Sequence, residues 1–500
     1  MARLANHCPA PNMPLFHRRV SLSIPLVRAQ AIRFRLGRTF AELGSDTRSI
    51  GMTEGRTLSK ILARVGHRDI TPRDRPVRLA GYPSRTALCA DILDPIEVGA
   101  ILFEGPGRRA LLLSFDLLQV GSELQNLVVS KLEKRGFGRD EIVLQATHTH
   151  GAPATDKACA ALGVPDERYV AELGDAVDEL VGQVQRQEPA EVSFEIFEGQ
   201  LRHAINRRRY WPFPTIGRMH GFNLTSIAFS PNPKGPKNEL ATVLLMRDVR
   251  DDRPIALLWH YTCHPTAVIP TDAISADFPG KVRERLRQRL GSIPCLFLTG
   301  FCGNIRPHIV PAPRAIPLRE HFQRLVRIVF FGNLFPSLSV DDWRRWSDSL
   351  ASELDEIAQR PAARKFNPQQ LRVGSASIPL DNFFHGKAPP KPLCAQVLGF
   401  DDALEIVGLS AEPSVEWETE IGKAMPKPPG CIRLYAGYLG SLCGYLPTAA
   451  QVPEGGYEVE GFQSLFGFSG HFDAGQIGPA VLSCVQSAFE AARDGLRRAS

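Results

Sequence analysis

Short apolar runs alternating with stretches of helical period dominate this chain and restrict it to a layered fold. Glu97 to Phe103 and Arg109 to Phe115 suit central strands, apolar on nearly every position. Val120 to Lys134 then sets Val120, Leu124, Leu127, Val128 and Leu132 at helical spacing and meets a stop signal at Gly136. The alternation continues. Strands are predicted at Glu141–Ala146, Ala241–Arg247, Ile255–Tyr261, Cys295–Leu298, Leu371–Ile378 and Ala403–Leu409. Helices are predicted at Tyr169–Arg186, Lys281–Leu290 and Ile477–Arg498. This order predicts an α/β fold, a mixed β-sheet core flanked by helices in one large domain.

That domain is expected to begin at Val65, where a β-type run ends in Asp69-Ile70-Thr71-Pro72, and to continue to residue 500. Residues 1–64 read as a basic leader, expected to be poorly ordered. The first 40 residues carry no Asp or Glu, and their apolar run, Leu22 to Val27, is short for a signal peptide. Residues 311–368 read as a mostly helical insertion, and Lys387 to Pro392 as a loop.

Charge and cysteine usage exclude several classes. A net charge of +6 over 500 residues, partly in the run Arg207-Arg208-Arg209, lacks the aromatic interleaving of a nucleic-acid module, so no nucleic-acid partner is expected. No apolar stretch reaches the 18 residues of a membrane span, which leaves peripheral membrane contact through the leader as the open membrane role. The ten cysteines form no C-x-x-C pair, and buried thiols favour a cytoplasmic setting over export.

The strongest chemical signal is Ala146-Thr147-His148-Thr149-His150-Gly151, directly after a buried strand. Side chains two apart on an extended segment share a face, so His148 and His150 project together where α/β folds carry sites. They are either a metal or catalytic pair or two structural, hydrogen-bonded histidines. Trp259 to Thr266 repeats the pattern. His264 at the strand end is the candidate ligand, and His260 within the strand is the core histidine. Ser275 follows in Ser275-Ala276-Asp277, outside any G-x-S-x-G elbow, with Asp277 a candidate helix cap. Glu412 in Ser410-Ala411-Glu412-Pro413 closes another strand, as a metal ligand or an ordinary exposed turn residue. Tyr445 and Tyr457 lie in a glycine-rich segment whose spacing nominates neither.

Taken in order, DITP with Gly81-Tyr82, ATHTH, Asn206-Arg207, HPT with SAD, FLTGFCGNIRP, SAEP and GY-x-x-T resemble the neutral/alkaline ceramidase family from Val65 onward. The resemblance implies a zinc ion (Zn2+) held by His148, His264, Glu412 and Tyr445. It implies His150, Tyr457 and Arg207 beside the metal and a catalytic part for Ser275. The implied activity is hydrolysis of an N-acyl amide, in the family N-acyl-sphingosine, with a lipid or smaller amide as substrate. Departures qualify it. Asn304 stands where relatives have Asp, which puts a second metal in doubt. Ser410-Ala411 replaces Pro-Gly, Val452 replaces a tyrosine, and the family's immunoglobulin-like C-terminal domain is expected to be absent. The competing readings are a zinc hydrolase of another amide or ester, a serine hydrolase using Ser275, and a non-catalytic lipid-binding relative.

Overall fold

A computed structural model describes residues 60–499 apart from 211–214, 218–220, 224–226, 269–271, 314–321, 323–324 and 327–334. At its centre is a nine-stranded mixed sheet. Its order is 295–299, 254–261, 240–248, 190–200, 62–69, 97–105, 108–115 and 142–146, with 364–366 added beside 190–200. The pairs at its two ends, 254–261 with 295–299 and 108–115 with 142–146, are parallel; the pairings between are antiparallel.

Period-2 alternation assigns each strand two buried faces. Leu111 and Leu113 meet the helices Ser122–Lys134 and Glu167–Gln185 through Val128, Leu132, Val177 and Leu180. At the other end Val243, Leu257 and Trp259 meet the helices Asp277–Leu290 and Val340–Ile357 through Val282, Leu286, Trp343 and Leu354. Ile101, Phe103, Leu112, Leu244 and Leu258 point the opposite way, onto Leu398, Phe400, Leu404 and Ile406 of a four-stranded sheet. That sheet runs 371–378, 393–400, 404–409 and 432–436, and its far face is covered by the helix Ile477–Ala499. The result is four layers, helix on sheet on sheet on helix. Each fully buried aliphatic side chain contributes about 1.5–3 kcal/mol to holding them.

The predicted mixed sheet flanked by helices is what the chain forms. The first described strand starts at Leu62, so residues 62–64 belong to the domain and not to the leader. The rest of the leader to residue 59 lies outside the described residues. Within 311–368 the helix Val340–Ile357 is a core layer, capped by Ser339 and Asp342, and Arg364–Phe366 is a sheet strand. That stretch is therefore not simply an insertion laid over the core. The strands 190–200, 204–210 and 393–400 were not predicted. The first carries polar residues between its buried positions, and in the second the polar residues Asn206, Arg207 and Arg208 are themselves buried.

The two ends of the large sheet are drawn together. The Thr299 hydroxyl donates to the Thr147 carbonyl (2.9 Å), and the segment 437–440 bonds both edges. Gly437 N–H donates to Thr299, Gly440 N–H to Leu144, and the Tyr438 carbonyl accepts from Ala146. Edge groups that would otherwise face solvent are thereby satisfied. The four-layer packing makes a specific prediction at Gly374, where an added Cβ would lie 2.2 Å from the Ala492 nitrogen. Gly374→Ala should destabilise the protein by about 2 kcal/mol or more, whereas Gly478→Ala, with nothing within 4 Å, should be neutral or mildly stabilising. Denaturant unfolding of both variants checks this.

Candidate metal centre

Where the sheet ends meet, the polar motifs meet too. His148 and His150 leave the strand Ile142–Ala146, and His264 leaves Pro254–Tyr261. Glu412 follows 404–409 and pairs in parallel register with Tyr445. The close approaches need glycine. A Cβ on Gly303 would lie 2.5 Å from the Glu412 carbonyl, and one on Gly151 would lie 2.6 Å from that of Ser275. His148 itself adopts φ 67°, and Tyr438, whose ring stacks on it at 4.0 Å, adopts φ 64°. Such left-handed backbone costs on the order of 1–3 kcal/mol per residue and persists only where surroundings enforce it.

Nε2 of His148 lies 3.0 Å from Nε2 of His264, which lies 3.3 Å from Nε2 of His150. Glu412 Oε2 is 3.3 Å from the His148 nitrogen and 3.9 Å from that of His264. Hydrogen bonding fixes what these atoms carry. Nδ1–H of His148 donates to the Leu118 carbonyl (2.6 Å), and Nδ1–H of His264 donates to that of Cys302 (3.2 Å). A carbonyl only accepts, so in each neutral ring the proton is on Nδ1 and Nε2 presents a lone pair. Burial first, then the neighbouring imidazole of His148, holds His264 and His150 well below the ordinary histidine range, which keeps both neutral. Two lone pairs thus face each other beside Glu412 Oε2, a buried carboxylate oxygen with no hydrogen-bond partner. That arrangement is unfavourable unless a cation lies between them. The three histidines are the metal-competent cluster among the described residues, and the donor set fits zinc. Both Nδ1–H···O=C bonds are of the kind that orients a histidine able to ligate a metal.

His150 differs from the other two. It is half-buried, its Nδ1 makes no hydrogen bond of good geometry, and its ring lies 4.9 Å from that of Tyr82. Arg207 is buried. It donates from Nε to Glu458 (2.8 Å) and from its terminal nitrogen to the Tyr445 hydroxyl (3.2 Å), with its guanidinium over the Tyr445 and Tyr457 rings. Burial, then Glu412, raises the Tyr445 hydroxyl well above its ordinary value, with Arg207 opposing; burial pushes Tyr457 up to about 12. The structure thus brings seven of the eight predicted residues into one constellation.

The eighth is Ser275. Its fully buried hydroxyl donates to Asp94 (2.5 Å) and accepts from the Asp277 N–H (2.9 Å), and its backbone pairs with Gly151. Asp277 opens the helix instead of standing before it as a cap, and its carboxylate accepts the N–H groups of Phe278, Ala267 and Val268 and the Trp343 indole. Glu412, with an exposed turn as its alternative, is buried. His260 is the core histidine expected, bonded to the Tyr435 carbonyl (2.9 Å). Asn304 is buried, bridging Glu416 and the Val415 N–H. Glu458 and Tyr438 carried no sequence signal, and Cys302, inside FLTGFCGNIRP, was not singled out. Arg207 and Arg208, read as part of a basic excess, are both buried and share Glu458.

Comparison with family models and with curated proteins finds no match. Among solved structures, neutral ceramidase from Pseudomonas aeruginosa matches with a TM-score of 0.65 and 16% identity, over 87% of this chain and 75% of that one. A ceramidase complexed with C2 matches with a TM-score of 0.63 and 14% identity, over 86% and 75%. The chain shares the fold of these two ceramidase structures. At these identities the likeness extends to the chain trace, and the chemistry of the centre rests on the side chains described above.

Arg207 and Arg208 make the centre's stability testable. Glu458→Gln leaves two buried guanidinium groups short of a counter-charge and should destabilise the protein by about 3–5 kcal/mol. Glu454→Gln removes only a half-exposed partner of Arg208 and should change stability by less than about 1 kcal/mol. Urea unfolding of the two variants measures the contrast.

Proposed function

We propose that this chain is a zinc-dependent hydrolase of N-acyl amides, of the ceramidase kind. The single observation that carries the reading is the pair of tautomer-fixed histidines facing an unpartnered, buried Glu412 oxygen. In this reading His148, His264 and Glu412 hold the ion, with Tyr445 beside Glu412 completing the set. When bound, zinc supplies Lewis acidity to the amide carbonyl and to water.

The remaining work belongs to side chains. Tyr457, still protonated at neutral pH, can donate a hydrogen bond to the carbonyl oxygen as negative charge develops there. His150 is free to change which nitrogen carries its proton, so it can take a proton from the attacking water on one nitrogen and pass one from the ring to the leaving amine. Water adds to the carbonyl carbon, the C–N bond breaks, and the products are a carboxylate and an amine. Arg207 fixes the Tyr445 hydroxyl and packs on Tyr457.

Ser275 enters this scheme as a positioning residue. Its hydroxyl proton goes to Asp94 and its backbone holds Gly151, next to His150. A serine nucleophile would need a histidine base on that hydroxyl, and none bonds it among the described residues. The non-catalytic reading is disfavoured because a site without chemistry has no need for strained backbone and an unpartnered carboxylate. We further propose a peripheral relation to membranes; no helix among the described residues is long and apolar enough to cross one.

The test is hydrolysis of N-acyl-sphingosine and of shorter N-acyl amides, with and without a zinc chelator. Activity should vanish on chelation and return with added zinc. It should fall at least about a hundredfold in His148→Ala. Chelator-resistant hydrolysis, or an active His148→Ala protein, would defeat the proposal.

A further inference from the structure

Among the described residues, one charged side chain near this centre has neither an ion pair nor a side-chain hydrogen bond. Arg306 lies in the strand Ile305–Pro307, which pairs with 204–210, the strand that carries Arg207. Its guanidinium sits over Phe335 at 4.0 Å and 6.0 Å from the centre of Phe229, the ring that Arg207 also covers at 4.8 Å. The two cations are therefore neighbours across one aromatic ring. Arg207 is answered by Glu458 and Tyr445. Arg306 forms no ion pair or hydrogen bond among the described residues, and its Nε is buried without a partner.

Other buried arginines of this protein have partners for their guanidinium groups, Arg85 through the Ala80 and His150 carbonyls and the rest through carboxylates. Arg208 and Arg283 each face carboxylates, and Arg433 meets Glu405. An uncompensated guanidinium near a second one is unfavourable, and burial, aided by Arg207, pulls Arg306 down to about 10. Tyr82, which feels the charge of Arg306, stacks towards His150 and so links this cation to the proposed reaction centre. The planar fork of arginine, flanked by aromatic rings, suits a carboxylate taken up edge-on through two parallel N–H···O bonds.

We propose that Arg306 is an anion subsite of the metal centre, and that the preferred substrates are N-acyl amides bearing a carboxylate beside the scissile bond, as N-acyl amino acids do. The substrate class rests on the hydrolase reading above; the anion subsite does not. The experiment compares kcat/KM for N-lauroylglycine and N-lauroylethanolamine in wild type, Arg306→Gln and Arg306→Lys. The glycine-to-ethanolamine ratio should exceed one in wild type and fall at least about tenfold in Arg306→Gln. Arg306→Lys, which keeps the charge without the fork, should retain part of the preference. A ratio that Arg306→Gln leaves unchanged overturns the proposal.

Calorimetric titration of N-lauroylglycine separates this failure from that of the hydrolase reading. If wild type cleaves neither amide yet binds N-lauroylglycine at least about tenfold tighter than Arg306→Gln does, the subsite stands and the hydrolase reading falls. Equal binding by the two proteins overturns the subsite. Laurate titrated alongside distinguishes a substrate carboxylate from that of the acyl product. The assignment requires Arg306→Gln to weaken N-lauroylglycine more than laurate, and the reverse order overturns it.

Discussion

The backbone of Tyr438 is the point on which the site depends. Its N–H donates to Ala411, its carbonyl accepts from Ala146, and Gly437 beside it donates to Thr299. One peptide stretch thus pins both edges of the large sheet and the turn that delivers Glu412. The ring does further work: it stacks on His148, and its hydroxyl lies 3.1 Å from the Cys302 sulfur. Cys302 in turn offers the carbonyl that orients His264. Three segments that carry the facing donor side chains, far apart in sequence, are referenced to one residue held at positive φ. The strain there, on the order of 1–3 kcal/mol, is offset by these hydrogen bonds.

Around this hub the protein concentrates polar groups that a core normally excludes. His148, His264, Glu412, Arg207 and Glu458 are all buried. His148 and His264 have Nδ1–H answered by carbonyls and keep Nε2 aimed inward, while both oxygens of Glu458 are taken by Arg207 and Arg208. Arg207 and Glu458 neutralise each other, with burial opposing the ionised Glu458 and the two arginines outweighing it. Such networks are stable only when nearly every member is satisfied, which is why the single unpartnered oxygen of Glu412 is informative.

Much of this was legible in the sequence, for a physical reason. Strands buried on both faces are written as apolar runs, so 97–105, 108–115 and 254–261 stood out. The histidines just past 142–146 and 254–261 stood out as polar residues where such runs stop. The strand 204–210, Ala204-Ile205-Asn206-Arg207-Arg208-Arg209-Tyr210, could not be read as buried, because its burial depends on Glu458 and Glu454 about 250 residues away. Tyr445 and Glu412 converge through a two-residue strand pair, too short to leave any periodicity. Tyr438 and Arg306 matter only through tertiary neighbours, and local pattern carries no trace of that.

The most direct test of the account is the metal content of the purified protein after dialysis against zinc, measured by mass spectrometry for wild type, Glu412→Ala and Ser275→Ala. The account predicts about one zinc per chain in wild type and in Ser275→Ala, and its loss in Glu412→Ala. A wild-type protein that binds no zinc, or a Glu412→Ala protein that keeps it, would contradict the claim that these facing donors form a metal site.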